Sequence, residues 1–302
     1  MTNMAAEAGT VRIAYRPPAR ACDCHTHVFG PPLRYPFDPA RAYTPGEASV
    51  AQLDDLHARL GIERVVVVHP SVYGSDNAAS VDAIVAMNQA RPGRARGVAV
   101  IDPQIGDAAL AALHAAGVRG VRLNLLTTGV RDPRVAADLL SRTAKRVAHL
   151  GWHVQIFARL PLIAALHAHF AALPVGLVFD HFAGLDARAG MDQAGLTDLL
   201  RLLGSGRAWV KLSAAHRVSA AADCADVADY ARAFAAVNPE RILWGSDWPH
   251  PGGGHGHPAE IEPFDPIDDA AALARLADWI GGKALDRALT ENAQRLYDFP
   301  ST

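Results

Sequence analysis

The sequence lacks any apolar run approaching the length that crosses a bilayer, and its opening, MTNMAAEAGTVRIAYRPP, has no apolar core of the kind a secretory signal needs. A membrane span and a leader are therefore not expected, and the chain reads as cytoplasmic. Blocks of like charge are missing too. Its 29 Lys and Arg and 31 Asp and Glu are interspersed and leave a formal net charge of −2. That balance offers no electrostatic footprint for nucleic acid or an anionic membrane surface. Cysteine is scarce: Cys22, Cys24 and Cys224 make neither an even disulfide framework nor a Cys-x-x-Cys pair. They read as unreactive thiols in a reducing compartment. Two catalytic signatures are also absent. No glycine-rich phosphate loop follows the first apolar run, and no Gly-x-Ser-x-Gly elbow occurs. Ser71, Ser213 and Ser246 have no base paired with them in the sequence, so attack by water is expected rather than a covalent intermediate.

What is present is a chain of 302 residues, half of them hydrophobic, which suits one large α/β domain. Eight short apolar runs alternate with alanine- and leucine-rich helical stretches. The runs lie at 21–27, 64–70, 95–101, 117–125, 153–158, 176–181, 209–213 and 242–247. Helices are expected over Ser80–Ala90, Ala108–Ala115, Val135–Leu150, Pro161–Ala172 and Asp226–Val237. Strand then helix, eight times over, predicts a closed (β/α)₈ barrel rather than an open doubly wound sheet. The barrel is expected over residues 21–302, preceded by an N-terminal arm, 1–20, acting as a surface strap. Two segments break the repeat, 28–49 and 248–268, both rich in proline, glycine and aromatics. Following strands one and eight, they are candidate walls or lids of a pocket, with the glycine-histidine loop 252–257 a candidate for closure.

His25-Thr26-His27 closes the first strand, and side chains two apart on a strand face the same way, so both imidazoles can serve one site. Fourteen histidines make such pairs common by chance, and the sequence has two more. His167 and His169 lie in a helical stretch and His255 and His257 in a glycine-rich loop, and both read as incidental. Strand six ends in Asp180-His181 and strand eight in Asp247. A lone aspartate before a Trp-Pro turn is more often a turn-former. Three histidines and a carboxylate meeting at one barrel rim reverse that weighting. Such a cluster supplies what carbonyl hydrolysis needs, a proton acceptor for water and groups that stabilise an oxyanion.

The segments CDCHTHVFGP, HPSVYGSDN, GVRGVRLNL, VFDHFAG, WVKLSAAHRVS and WGSDWPHP together resemble the amidohydrolase-2 branch of the amidohydrolase superfamily. Within it, they resemble the group of 2-pyrone-4,6-dicarboxylate lactonases, from about Ala21 to Phe299. The resemblance implies a distorted (β/α)₈ barrel and hydrolysis of a carboxylated lactone. Asp247 would be the general base, with His25, His27 and His181 polarising the carbonyl. Arg122 and Arg217 would hold substrate carboxylates, aided by Ser71 and Tyr43. The sequence departs from the group at Gln155-Ile156-Phe157, where a hydroxyl-bearing aromatic is expected, and after Asn124, where Thr127, Thr128 and Arg131 replace a cleanly aligned second arginine. Many superfamily members hold a divalent ion, and His25, His27 and Asp247 could ligate zinc or manganese. The lactonase group implies instead a site without tightly bound metal. The expected partner is a small anionic lactone, with self-association left open. The rival readings are a sugar lactonase, a metal-dependent decarboxylase or other amidohydrolase in the same barrel, and a non-catalytic barrel that binds a small anion. By the resemblance, decarboxylases of the superfamily normally use a histidine at the end of strand five, which here reads Gln155-Ile156-Phe157.

Overall fold

The computed structural model describes residues 15–102, 104–252 and 258–301. Most of the N-terminal arm, the His255/His257 pair and the core of the 252–257 loop lie outside the described residues.

Eight parallel strands follow one another in chain order around a single sheet: β1 (Cys22–Thr26), β2 (Arg64–Val68), β3 (Ala95–Ala99), β4 (Val118–Asn124), β5 (His153–Phe157), β6 (Leu177–Phe179), β7 (Ala208–Ser213) and β8 (Ile242–Gly245). All eight fall within a residue of the apolar runs. Strands buried on both faces need β-branched and apolar residues throughout, and Val65 to Val68 show the pattern undiluted. The sheet closes between β8 and β1 through backbone bonds. Asp247 N–H donates to the His25 carbonyl and His27 N–H to the Trp248 carbonyl, each at 2.8 Å. The architecture is the (β/α)₈ barrel expected. Gly245 sits in this seam because there is no room for more: a Cβ there would come within 2.6 Å of His25 Cβ and 2.8 Å of its backbone nitrogen.

Helices α1 (Val50–Leu60), α2 (Ala78–Ala90), α3 (Asp107–Ala116) and α4 (Pro133–Val147) link the first five strands. Ser49 and Gln52 form a capping box at the start of α1. Asp132 caps α4 with Pro133 in its first turn, so that helix begins two residues earlier than expected. The stretch expected as one helix over Pro161–Ala172 is instead two, α5 (Leu160–Ala165) and α6 (His167–Phe170), broken at Leu166, whose ψ of −1° leaves the helical range. His169 Nε2 lies 2.6 Å from Ser141 Oγ on α4, a contact between helices with no part in the rim. α7 (Leu196–Gly204), α8 (Ala228–Val237), α9 (Asp269–Ile280), α10 (Gly282–Leu289) and α11 (Glu291–Tyr297) complete the outer layer.

Inside the barrel, Cys22, Cys24, Val66, Val68, Val98, Val178, Trp209 and Leu243 cluster with Tyr297 and Phe299 from the C-terminal segment. This apolar plug fills one end. Cys22 and Cys24 belong to it as free buried thiols, and Cys224 is free and buried too.

Two fully buried histidines predict how stability responds to acid. Burial lowers His69 to about 4 and His153 to about 3, the latter helped by Lys211. In the unfolded chain each takes up a proton near pH 6.5. Below that pH the unfolded state binds protons the folded state refuses, so stability falls with pH from 6.5 toward the folded values. Each histidine contributes about 1.4 kcal/mol per pH unit in that window. We expect the urea midpoint to drop steadily from pH 7 to pH 5 in wild type, and less steeply in His153→Gln. A midpoint flat across that window would contradict the assignment.

Candidate active site

A β-bulge in β1 sets the site. Cys22 pairs with Arg64, Asp23 with Val65 and Thr26 with Val67, so Cys24 and His25 together oppose one residue of β2. Strict alternation would send consecutive residues to opposite faces. The bulge lets Cys24 join the apolar plug while His25, and His27 beyond it, face the open end of the barrel. The Asp23 carboxylate holds the bulge by accepting the backbone N–H of His25 (3.1 Å) and of Ser246 (2.9 Å), with His57 Nε2 3.4 Å away.

Asp247 and His181 reach the same point from strained backbone. Asp247 has φ 69°, and His181, Phe182 and Ala183 have φ 48°, 53° and 55°. Left-handed conformations cost non-glycine residues of order 1–3 kcal/mol each and tend to survive where surrounding structure over-determines them. Gly184 ends this turn at φ 60°, and a Cβ there would lie 2.0 Å from the Ala158 carbonyl oxygen. The chain can thus double back over β5 only with glycine at that position.

The Nε2 atoms of His25, His27 and His181 lie 3.5, 3.5 and 3.6 Å from one oxygen, Asp247 Oδ1. The other oxygen, Oδ2, accepts Arg217 Nε at 2.8 Å. His25, His27, His181 and Asp247 are all buried. Burial opposes a charge on Asp247, but Arg217 foremost, then His181 and His27, outweigh it and hold the carboxyl well below the usual carboxylate range. Burial lowers His25 to about 3, with Lys211 pushing the same way, and holds His181 well below 6.5. An ionised carboxylate is therefore ringed by imidazoles, two of which are held neutral. His27 Nδ1 lies 2.8 Å from the Val68 carbonyl, which can only accept, so neutral His27 presents a lone pair on Nε2. His181 Nδ1 meets Ser213 Oγ at 2.9 Å.

Beneath this cluster lies a second polar layer. Asp180 Oδ2 accepts Arg122 Nε at 3.0 Å and Gln155 Nε2 at 3.1 Å. Lys211 Nζ donates to Gln155 Oε1 at 2.7 Å and lies 3.2 Å from His25 Nδ1. Lys211, Asp180 and Gln155 are 0% exposed, which only a closed set of partners can sustain. Arg122 spends Nε on Asp180 and stacks on Phe157, its guanidinium carbon 5.2 Å from the ring centre. Among the described residues neither of its Nη groups has a hydrogen-bond partner. Tyr43 is buried, with Arg122, Arg217 and Asp247 all within electrostatic reach and Ser71 at its hydroxyl. Arg217 also donates Nη2 to the Pro251 carbonyl at 2.6 Å. On its far side opens a cavity of about 660 Å³ lined in part by Arg159, Gly184, Asp186, Arg188 and Ser219.

The two irregular segments wall this end together. Thr44–Pro45 pairs in parallel with Ile261–Glu262, Phe29 bridges Ala48, and Phe29 stacks on Phe264 at 5.9 Å between centroids. Tyr43 is delivered by the first of these walls.

All eight residues expected at the site sit around one barrel mouth. Sequence reasoning passed over Lys211, and gave Asp180 and Gln155 no role, although they form the layer under His25. Lys211 had a signal: a lysine in the middle of the strand Trp-Val-Lys-Leu is costly to bury unless a carboxylate waits inside. Arg131 and Thr128, considered as substitutes for a second arginine, are exposed.

Ligand atoms of His25, His27 and Asp247 all lie within 4.8 Å of one another, as do those of His25, Asp180 and His181. His25 Nε2 is buried with no hydrogen-bond partner. By donor type and spacing the first group fits one divalent ion.

Residues 22–299 match the family model described as amidohydrolase. The chain is 38% identical over 294 residues to a 2-pyrone-4,6-dicarboxylate hydrolase from Comamonas testosteroni, covering 94% of this chain and 92% of that one. It is 31% identical to a 4-sulfomuconolactone hydrolase from Rhizobium radiobacter, with the same two coverages. A crystal structure from Acinetobacter baumannii with citric acid bound superposes with a TM-score of 0.77 at 25% identity, covering 93% of this chain and 100% of that one.

Proposed function

The chain belongs to the amidohydrolase family, and from that membership we propose that it is a hydrolase that opens a carboxylated lactone by attack of water at the ring carbonyl. The observation that carries the reading is the convergence of three imidazole Nε2 atoms on a single ionised carboxylate oxygen, with Arg217 on the other oxygen of that carboxylate and Arg122 on neighbouring Asp180. The relatives named above act on lactones bearing carboxylate or sulfonate groups, and a structural neighbour holds a tricarboxylic acid. Both facts favour an anionic substrate.

In this reading water binds beside Asp247 Oδ1, oriented also by the His27 Nε2 lone pair. As its oxygen bonds to the carbonyl carbon, its proton passes to Asp247. His181, with Ser213 donating to its Nδ1, offers an Nε2 proton to the oxygen that becomes anionic, and His25 does the same from the other side. The ring C–O bond then breaks and the leaving oxygen takes up the proton. Arg122, through its Nη groups, grips a substrate carboxylate over Phe157. Arg217 and the Tyr43 hydroxyl, with Ser71 behind it, take another. The barrel is one catalytic domain from residue 21 onward.

If a divalent ion is held, His25, His27 and Asp247 would hold it, and it would act as a Lewis acid on the carbonyl. We place the enzyme among those that need no tightly bound metal. Arg217, Arg122 and Lys211 already supply positive charge around the cluster, and Gln155 occupies the strand-five position facing it. The expected result is that extended chelation leaves kcat within about twofold, with metal well below stoichiometric in purified protein. Near-stoichiometric zinc or manganese whose removal abolishes turnover would end this part of the reading.

The function itself is tested by presenting purified protein with pyrone, muconate-derived and sugar lactones while following acid release. Carboxylated lactones are expected to turn over and Asp247→Asn to serve as the blank. Turnover confined to neutral sugar lactones would overturn the proposal.

A further inference from the structure

His25 Nδ1 has two neighbours at the same distance that demand opposite things of it. Lys211 Nζ lies 3.2 Å away and Asp180 Oδ1 also 3.2 Å away. An ammonium can only donate, which makes Nδ1 an acceptor and puts the proton on Nε2. A carboxylate can only accept, which makes Nδ1 the donor and leaves a lone pair on Nε2. The choice decides what His25 shows the substrate: an N–H that stabilises negative charge, or a lone pair suited to a cation.

Alignment separates the two contacts. The lysine contact has hydrogen-bond geometry, whereas an N–H in the plane of the His25 ring is poorly aligned on Asp180 Oδ1, whose carboxylate acts on the imidazole chiefly through its charge. Proximity alone at a poor angle contributes little. The rest of the layer agrees. Lys211 is pressed between two oxygen acceptors, Gln155 Oε1 at 2.7 Å and Asp180 Oδ1 at 3.6 Å, which call for a donor. Gln155 turns its Nε2 to Asp180 and its Oε1 to Lys211, so each end of the amide meets the partner it suits.

We propose that Lys211 is a positioning residue that fixes His25 as the Nε2–H tautomer, making it a hydrogen-bond donor to the substrate carbonyl and a poor metal ligand. The catalytic consequence rests on the lactone-hydrolase reading; the tautomer does not. The same contact gives a physical reason for turnover without metal, because an ion at His25 would have to displace that proton.

The tautomer is read directly by nitrogen NMR of protein labelled in its histidine rings, without substrate, with His25 assigned by the signals lost in His25→Asn. The expected wild-type pattern is a protonated Nε2 and an unprotonated Nδ1. In Lys211→Met, which keeps length and removes the donor, the proton is expected to move to Nδ1, with kcat down about 10- to 100-fold and KM within about threefold. Lys211→Gln, which retains an N–H, is expected to keep the wild-type tautomer. A wild-type spectrum with the proton on Nδ1 overturns the proposal without recourse to any variant, as does a Lys211→Met spectrum that still shows it on Nε2. Failure to hydrolyse any lactone, by contrast, would leave the tautomer result standing and count against the function alone.

Discussion

Asp247→Asn is expected to lower kcat for lactone opening by roughly 10³-fold or more while KM changes by only a few-fold. The substitution keeps the shape of the side chain, and the three imidazoles and Arg122 keep their places. What disappears is the acceptor for the proton of the attacking water, a contribution of about 10²–10⁴. A second loss adds to it. Arg217 gives its Nε to Asp247 Oδ2 at 2.8 Å and sits largely inside the protein. With an amide in place of the carboxylate its charge is uncompensated, which costs on the order of 3–5 kcal/mol where a buried pair is broken. The thermal midpoint should therefore fall as well, and kcat is to be compared at a temperature where circular dichroism shows the variant folded. A folded variant retaining more than a tenth of wild-type kcat would remove Asp247 from the role of base. Acid should act in the same sense but far outside the working range. Asp247 is held well below the usual carboxylate range, so loss of its charge is expected only in strong acid, as pH falls through that depressed value.

Arg122→Met is expected to reduce kcat/KM on a dicarboxylated lactone by about 10²–10³-fold, since losing a charge-assisted bidentate contact in a buried site costs about 2–5 kcal/mol. On a neutral lactone the same variant should lose only a few-fold. The comparison matters because Arg122 also donates to Asp180 at 3.0 Å, and a general disturbance of the polar layer would depress both substrates alike. Gln155 and Lys211 remain to hold Asp180 in the variant. Equal losses on the two substrates would mean that Arg122 props up the layer and does not read a carboxylate. No loss on either would place the anion-binding role elsewhere, with Arg217 and the cavity beyond it the next residues to test.

The barrel was legible because its determinants are local. Each strand declares itself as a short β-branched run, as in Val65–Val68, and a parallel barrel repeats that signal eight times with a helix after each. The histidine pair on β1 was legible for a similar reason, since its period of two is a property of any strand. Even the rim address of His181 and Asp247 follows from chain order once the barrel is granted, because both stand at strand ends. Lys211 marks where this reasoning stopped. Its cost in a buried strand could be seen, but not the carboxylate that meets it, which lies 31 residues away just past the end of β6.

Composition, periodicity and motif order thus determined the barrel and the identity of the groups at its mouth. Only the folded chain decided their orientation and protonation. The bulge that turns both Cys24 and His25 inward depends on pairing with β2. The left-handed backbone at Asp247 and His181 depends on packing against β1 and β5. The contest between Lys211 and Asp180 for His25 Nδ1 depends on side chains from β1, β7 and the turn after β6 meeting within hydrogen-bond range. Those are pairwise facts of three-dimensional contact, where angles and distances of a few tenths of an ångström choose between donor and acceptor, and no one-dimensional pattern encodes them.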